Sequence, residues 1–300
     1  MFNFKSDIQF INYFRLFNFV SLILILISVG FIFYKGLNFG VDFKGGTLIE
    51  LRVENTEIGI GDVRQSFIKM NLGDVNVKKF GKGNDYLIKF EQTDKNKEDF
   101  IENIKTQLSR NLTGNFSFRR VENVGPKVSG ELLKSGLIAI VLSLSAMLIY
   151  IWIRFEWQFS LGAIIALIHD VIITIGFFSI LEFEINLSIV AAVLTIVGYS
   201  MNDTVVIFDR VRENLKKYSS KSINEISNLS INETLSRTII TSLTTLLALL
   251  SIFFFGGKIL HGFSFAMILG VIFGTYSSIF IANPILIKLK VNQKSVLKGA

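Results

Sequence analysis

Four ionisable side chains lie inside or at the ends of long apolar stretches, and they are the residues best placed to do chemistry. They are the neighbours His169 and Asp170, then Asp203, and then Arg237 at the start of a later stretch. An ionisable group surrounded by hydrocarbon is costly unless it is paired or hydrated, so such groups usually mark proton or ion pathways. We therefore treat each of the four as a candidate functional residue.

Asp203 and Arg237 are the predicted centre of this chemistry. Burial and a neighbouring arginine act in opposite directions on the protonation of a carboxylate, so a movement that changes either one can load or release a proton. Helical spacing puts both residues on polar stripes of successive stretches, and these stripes can face each other. The alternative is a fixed ion pair that only sets the register of two helices. One stripe contains Ser188, Thr195, Tyr199, Asn202 and Asp203, and the other contains Arg237, Thr241, Thr244 and Thr245.

His169 and Asp170 admit two interpretations, which the sequence leaves open. They are either a hydrogen-bonded pair that holds the helices together or a part of the proton path, and the same choice applies to Asn202 and Thr204 beside Asp203. A third idea, an aspartyl intramembrane protease, needs two carboxylates in one site. It is disfavoured because the residues before Asp203 read GYSMN and do not match the G-x-G-D motif of those enzymes.

No enzyme, cofactor or metal site is predicted. The sequence contains no cysteine, which excludes disulfides, thiol catalysis and cysteine-ligated metals. Its net charge of +7 would suit nucleic acid, but the basic residues sort by side of a membrane, as described below. Nucleic-acid binding is therefore disfavoured.

The elements that must position these residues are membrane-spanning helices. Half of the residues are hydrophobic and the mean hydropathy is +0.51. A bilayer core requires about 20 mostly apolar residues per helix. We predict six spans, at residues 16–34, 135–153, 159–181, 187–208, 238–255 and 263–287. The first resembles a signal peptide but lacks a small-residue cleavage site, so it is read as a retained helix.

The last predicted span has small residues at intervals of four, a spacing that lets helices approach closely. We expect this stripe to pack against another helix, either of this chain or of another subunit. It consists of Gly262, Ala266, Gly270, Gly274, Ser278 and Ala282.

The distribution of lysine and arginine predicts the orientation, because short cytoplasmic loops carry an excess of both. The basic residues sort to one side: residues 1–15, the connection 209–237 and the tail 288–300 carry them, whereas the short loops of the other side hold only Lys258, so these three segments are predicted to be cytoplasmic. Residues 35–134 would then lie outside, as a separate domain of about one hundred residues.

The pattern of residues 35–134 predicts an α+β domain. Alternating residues indicate strands at 47–53, 75–80, 86–90 and 116–124, and helical spacing indicates helices at 61–72 and 97–112. The order β-α-β-β-α-β is typical of a ferredoxin-like fold. Gly81, Lys82 and Gly83 would form the turn of the central hairpin.

Five blocks of the sequence resemble, in order, the signature blocks of the SecF family of protein-export subunits, which belongs with SecD to the RND superfamily. Lys44 and Ser129 depart from the family pattern, where small polar residues and glycine are common. The blocks are GVDFKGGTLIEL at 40–51, VGPKVSGEL at 124–132, ALIHDVIITIGFFSI at 166–180, GYSMNDTVVIFDRVRENL at 198–215 and ETLSRTIITSLTTLLALLSIFFFGG at 233–257.

The resemblance implies half of an RND-type bundle of twelve helices in the bacterial inner membrane. It implies SecD as the partner that supplies the other six helices, together with YajC, the SecYEG channel and an unfolded preprotein, and it implies use of the proton motive force. The family's buried aspartate and its arginine fall on Asp203 and Arg237. The glycine-rich blocks near 45 and 125 would transmit motion of the outer domain, or would only make tight turns. Two alternatives remain: an exporter of small molecules or lipids, and a scaffold subunit that does not transport.

Overall fold

The computed structural model describes residues 8–54, 58–79, 84–91, 97–112 and 114–293. The chain forms two compact units. One contains residues 1–38 and 137–300 and is helical, and the other contains residues 39–136 and is α+β. Each unit is described separately.

The helical unit contains six helical runs that are long and apolar enough to cross a membrane. The first five are α1 (Phe10–Lys35), α5 (Pro126–Arg154), α6 (Trp157–Leu181), α7 (Leu187–Lys217) and α8 (Ile223–Phe255). The sixth is broken into α9 (Lys258–Ser277), a π-helical turn (Ser278–Ala282) and α10 (Asn283–Lys288). The prediction of a polytopic helical membrane protein is confirmed.

The helices extend beyond the predicted spans, most clearly around the connection 209–237. Helix α7 continues to Lys217 and α8 already begins at Ile223, where Ser222 and Glu225 form a capping box. Most of the predicted connection is therefore helical. The reason is that hydropathy marks the apolar part of a helix, whereas the helix itself ends only where its capping residues stand. Where the membrane boundaries lie stays a prediction.

Small residues let the helices pack closely. A Cβ atom added at Gly270 would lie 2.3 Å from the Cγ1 atom of Ile196, and one at Gly274 would lie 2.9 Å from the Cβ atom of Ser200. Such distances are shorter than a normal Cβ contact, so a side chain at either position would have to displace atoms of α7. The predicted stripe of the last span therefore packs against a helix of the same chain, α7.

The α+β unit contains a four-stranded antiparallel sheet with strand order β2-β3-β1-β4. Its strands are β1 (Gly46–Val53), β2 (Val75–Lys79), β3 (Asp85–Phe90) and β4 (Phe116–Val124). Its helices are α3 (Ile60–Ile68) and α4 (Lys97–Asn111), after a short α2 (Val41–Lys44). This is the predicted ferredoxin-like arrangement. The predicted turn residues 81–83 lie outside the described residues.

One face of the sheet and both longer helices enclose the core of this unit, in which Ile49, Phe67, Ile88 and Leu108 are all fully buried. Every second residue of each strand points into this core, because successive side chains of a β-strand point to opposite faces of the sheet. The side chain of Tyr86 is buried as well, and its hydroxyl donates to the carbonyl of Ile58 at 2.8 Å. Burial raises the pKa of the Tyr86 hydroxyl.

The glycines before β1 are required by the backbone. Gly45 and Gly46 have φ angles of +78° and +112°, which side chains rarely adopt. A Cβ atom at Gly46 would lie 2.7 Å from the carbonyl oxygen of Phe90. Ser129, which departs from the family pattern, is buried and donates its hydroxyl to the carbonyl of Pro126 at 2.9 Å. The tight-turn interpretation of the first glycine block thus has a direct geometric basis.

Candidate functional site

Asp203 lies at the meeting point of three helices. It stands on α7, is 4% exposed, and its Oδ2 atom accepts from the hydroxyls of Ser242 on α8 at 3.4 Å and Thr275 on α9 at 3.3 Å. These two hydroxyls are also 2.6 Å from each other. Both contacts to the carboxylate are at the long end of the hydrogen-bond range. The carboxylate is therefore buried but loosely held.

Arg237 does not form an ion pair with Asp203. The side chain of Arg237 is exposed on α8, and in the described part of the chain no salt bridge within 4.0 Å joins it to the carboxylate. Arg237 is nevertheless near enough to act on Asp203 electrostatically. The sequence suggested that Asp203 and Arg237 pair with each other. In the structure, the direct contacts of Asp203 are with Ser242 and Thr275.

The two predicted polar stripes meet at the contact of Tyr199 with Thr241. The hydroxyl of Tyr199 on α7 donates to the carbonyl of Thr241 on α8 at 3.3 Å. Asn202 lies away from this contact, because its side chain is exposed on α7. The structure therefore brings Tyr199 and Thr241 together and leaves Asn202 apart.

Asp170 forms a second buried carboxylate site, and it is tightly held. It is fully buried on α6, and its Oδ2 atom accepts from Ser200 on α7 and Ser277 on α9, both at 2.7 Å. Its Oδ1 atom lies 2.8 Å from Nδ1 of His169. Asp170 thus joins three helices, whereas His169 bonds within its own helix.

His169 contributes a buried polar atom with no visible partner. Its Nε2 atom has no hydrogen-bond partner among the described residues, and its ring is stacked on that of Tyr276 with centroids 6.0 Å apart. The Tyr276 hydroxyl in turn donates to the carbonyl of Phe17 at 2.6 Å and lies 2.7 Å from the Ser21 hydroxyl. Helix α1 is connected to α9 by these contacts.

Thr204 links the neighbourhood of Asp203 to the π-helical turn. Its hydroxyl lies 2.8 Å from the hydroxyl of Ser278 and 3.3 Å from the carbonyl of Ser200. Turns of this type insert one extra residue and are frequent at functional sites. The side-chain nitrogen of Asn283 donates to the carbonyl of Ser278 at 2.8 Å, which satisfies one backbone group of the turn.

The hydroxyl partners of the two carboxylates were missed by sequence reasoning. Their only signal is that they are polar residues inside apolar spans, and serine and threonine are common there for other reasons, since their hydroxyls can bond to the helix backbone. They are Ser200, Ser242, Thr275 and Ser277.

The chemistry that the Asp203 site can support is reversible protonation. A hydroxyl can both donate and accept a hydrogen bond, so Ser242 and Thr275 can serve the charged and the neutral carboxyl group alike. No group of three or more potential metal ligands occurs in the ranges that the structure describes.

Comparisons with known families identify the chain over most of its length. Residues 104–292 match the family described as protein export membrane protein SecD/SecF, C-terminal, and residues 30–57 match the SecD/SecF GG motif. The SecF translocase subunit of Rickettsia bellii is 49% identical over 94% of this chain and 93% of its own length. That of Rickettsia prowazekii is 46% identical over 98% of this chain and 96% of its own length.

Solved structures agree with these relatives. The crystal structure of SecDF from Thermus thermophilus, a translocon-associated membrane protein, is 33% identical with a TM-score of 0.85, and a SecDF structure in the super-membrane-facing form has a TM-score of 0.71. Each covers 97% of this chain, but the chain spans only 40% of either solved chain. The chain belongs to the SecD/SecF family, as a SecF-type membrane subunit of the Sec protein-export machinery.

Proposed function

We propose that this chain couples proton movement, driven by the proton motive force, to the export of preproteins, and that Asp203 carries the proton. The observation that carries the proposal is the loose hold on a buried carboxylate: two hydroxyl contacts of 3.3 and 3.4 Å from two different helices. A carboxylate fixed in a permanent ion pair would serve a purely structural role better. Arg237 is proposed to adjust the charge state of Asp203 from a distance.

The available energy is sufficient for such coupling. One elementary charge crossing 100 mV is worth about 2.3 kcal/mol. That corresponds to a population ratio of about 50 between two conformations. The proposal needs no covalent chemistry and no cofactor.

Helix α9, together with the π-helical turn that follows it, is the element proposed to transmit the change. Thr275 contacts Asp203, Ser277 contacts Asp170, and Ser278 contacts Thr204. A change of protonation at Asp203 would therefore be felt by the helix that also holds the second carboxylate. His169 and Asp170 would act as an anchor for this helix or as a continuation of the proton path.

SecD is the proposed partner within the membrane. Ser188, Thr195 and Asn202 are polar and exposed along α7, and polar side chains on a spanning helix usually face protein rather than lipid. The SecDF chain of the solved structure is longer than this one and contains a further part that this chain does not match. SecD would cover the polar face of α7. YajC, SecYEG and the preprotein would contact other surfaces of the complex that this chain forms with SecD.

The proposed orientation places both termini in the cytoplasm and residues 35–134 in the periplasm of a bacterial inner membrane. It rests on the basic residues near the ends of α7 and α10, because positive charge accumulates in cytoplasmic segments. They include Arg210, Arg212, Lys216, Lys217, Lys288 and Lys290.

The test is preprotein export by membrane vesicles that contain Asp203→Asn in place of the native chain. We expect loss of the proton-driven part of export, with normal expression and normal co-purification of SecD. Asp209→Asn is the matched control, because it removes a carboxylate from the same helix at a half-exposed position paired with Arg154. Full proton-driven export by Asp203→Asn would contradict the proposal and would leave the scaffold alternative as the better account.

A further inference from the structure

An open cleft with a basic rim lies on the helical unit, where the end of α7, the start of α8 and the segment after α10 meet. Its volume is about 570 Å³, within the range of roughly 300–1,000 Å³ that is usual for ligand clefts. Tyr218, Lys221 and Lys290 contribute to its rim, and Leu215, Ile223 and Val291 form its apolar part.

The apolar part of the cleft continues into the core of the helix bundle. Leu215 and Val291 are buried members of that core, and Ile223 packs against it. Lys290 stands two residues after the end of α10 and three residues beyond the predicted end of the last span at 287. We expect the α10 side of the cleft to lie near the depth where a spanning helix leaves the hydrocarbon and reaches the lipid headgroups.

The rim concentrates positive charge on one aromatic ring. The Nζ atoms of Lys217 and Lys221 lie 5.2 Å and 4.4 Å from the centre of the Tyr218 ring. Each contact is a favourable cation–π interaction, but two like charges held on one ring repel each other. An anion in the cleft beside Lys221 and Lys290, which both line it, would relieve that repulsion.

The nearby carboxylates are engaged elsewhere. Glu225 accepts from the backbone nitrogen and the hydroxyl of Ser222, both at 2.8 Å. Glu233 accepts from Arg210 at 2.6 Å and from Asn214 at 2.7 Å. Across the described ranges, no carboxylate lies within 4.0 Å of Lys217, Lys221 or Lys290. None of these three lysines is therefore held in a direct ion pair among the described residues.

We propose that this cleft binds the phosphate group of an anionic phospholipid of the adjacent leaflet, which is the cytoplasmic leaflet in the proposed orientation. Lysine clusters beside spanning helices attract anionic headgroups, and tyrosine favours the interface. The apolar part of the cleft would contact the first carbons of the lipid chains. A free phosphate ion has no such carbons and would leave this part of the cleft unfilled. This argument depends on the cleft alone, not on proton coupling.

The test uses the full chain in detergent, titrated with phosphatidylglycerol and followed by thermal unfolding. Phosphatidylglycerol should stabilise the native chain, whereas phosphatidylcholine and inorganic phosphate at equal concentration should not. Lys221→Gln combined with Lys290→Gln should weaken the apparent affinity for phosphatidylglycerol about thirtyfold. Each lysine near an anionic surface contributes about 1 kcal/mol, so the loss of two costs about 2 kcal/mol. Tyr218→Ala should weaken it as well, and Tyr218→Phe should not.

The matched control is Lys69→Gln combined with Lys79→Gln, which removes the same charge from exposed positions of the α+β unit. An equal loss of affinity in this control would overturn the proposal, because it would show an effect of net charge. Stabilisation by inorganic phosphate as strong as that by the lipid would also overturn it, in favour of a soluble anion. Unchanged affinity in the Lys221 and Lys290 variant would exclude the cleft.

Discussion

The two buried carboxylates of the helical unit differ in how firmly they are held. Asp170 has three contacts of 2.7 to 2.8 Å, and it connects α6 to α7 and α9. Asp203 has two contacts of 3.3 and 3.4 Å, and it connects α7 to α8 and α9. A tightly satisfied carboxylate stabilises one arrangement of helices, whereas a loosely satisfied one permits another. The difference indicates that α9 is anchored at Asp170 and adjustable at Asp203.

The largest expected effect is on stability, from removal of the anchor. Asp170→Ala would leave Ser200, Ser277 and His169 without their shared buried partner, and we expect a loss of about 3–5 kcal/mol, because each buried group left without its partner costs about 1–3 kcal/mol. Asp203→Ala removes weaker contacts and should cost only about 1–2 kcal/mol. Thermal unfolding of the purified variants measures both. Equal losses would remove the distinction between an anchored and an adjustable site.

The next effect tests whether the anchor needs the close approach of α9 to α7. Gly274→Ala would bring a methyl group within 2.9 Å of the Cβ atom of Ser200, which donates to Asp170. Overpacking of this kind costs about 1–3 kcal/mol. Gly198→Ala on α7 is the control, since nothing lies within 4 Å of the added atom. If thermal unfolding gave both variants the same stability, the close approach would not matter.

The smallest effect compares single hydroxyls on the two sites. Ser277→Ala removes a short contact to Asp170 and should cost about 1–2 kcal/mol. Thr275→Val removes, at nearly constant volume, a long contact to Asp203 and the 2.6 Å contact to Ser242, and it should cost about 1 kcal/mol. For function we expect the opposite order, with the larger effect from Thr275→Val. Thr275→Val should shift the pH dependence of proton-driven export, and Ser277→Ala should not. Indistinguishable pH profiles for the two variants would argue against a special role for the Asp203 site.

The α+β unit was largely predictable from its sequence, because the alternation of residues reflects which side of a strand is buried. Strand β4 begins and ends at Phe116 and Val124 as predicted. Helix α3 ends at Ile68, before the predicted residue 72, because the chain turns at Lys69 and Asn71 takes a φ angle of +57°. Local periodicity therefore located the elements well and their ends less well.

The candidate site was predictable only in part. Asp203 and Asp170 stood out because ionisable groups in apolar stretches are rare. Their hydroxyl partners depend on the rotation of α8 and α9 about their own axes, which a single sequence does not determine. Thr275 and Ser277 are only two residues apart but serve different carboxylates, and no simple helical stripe predicts that.

The π-helical turn at Ser278–Ala282 divides the last helix into α9 and α10, and it rotates the side chains of α10 about the helix axis relative to those of α9. An α-helix advances 100° per residue, and the residue inserted by the turn offsets α10 from α9 by about that angle. On one side the small residues of α9 meet α7, and on the other Asn283 accepts a hydrogen bond from Ser227 of α8 at 3.3 Å. Shortening the turn by a single residue would rotate Asn283 away from Ser227 while leaving Thr275 and Ser277 in place. The number of residues in this segment therefore determines which side chains of α10 face α8, just as the residue types determine which contacts they make.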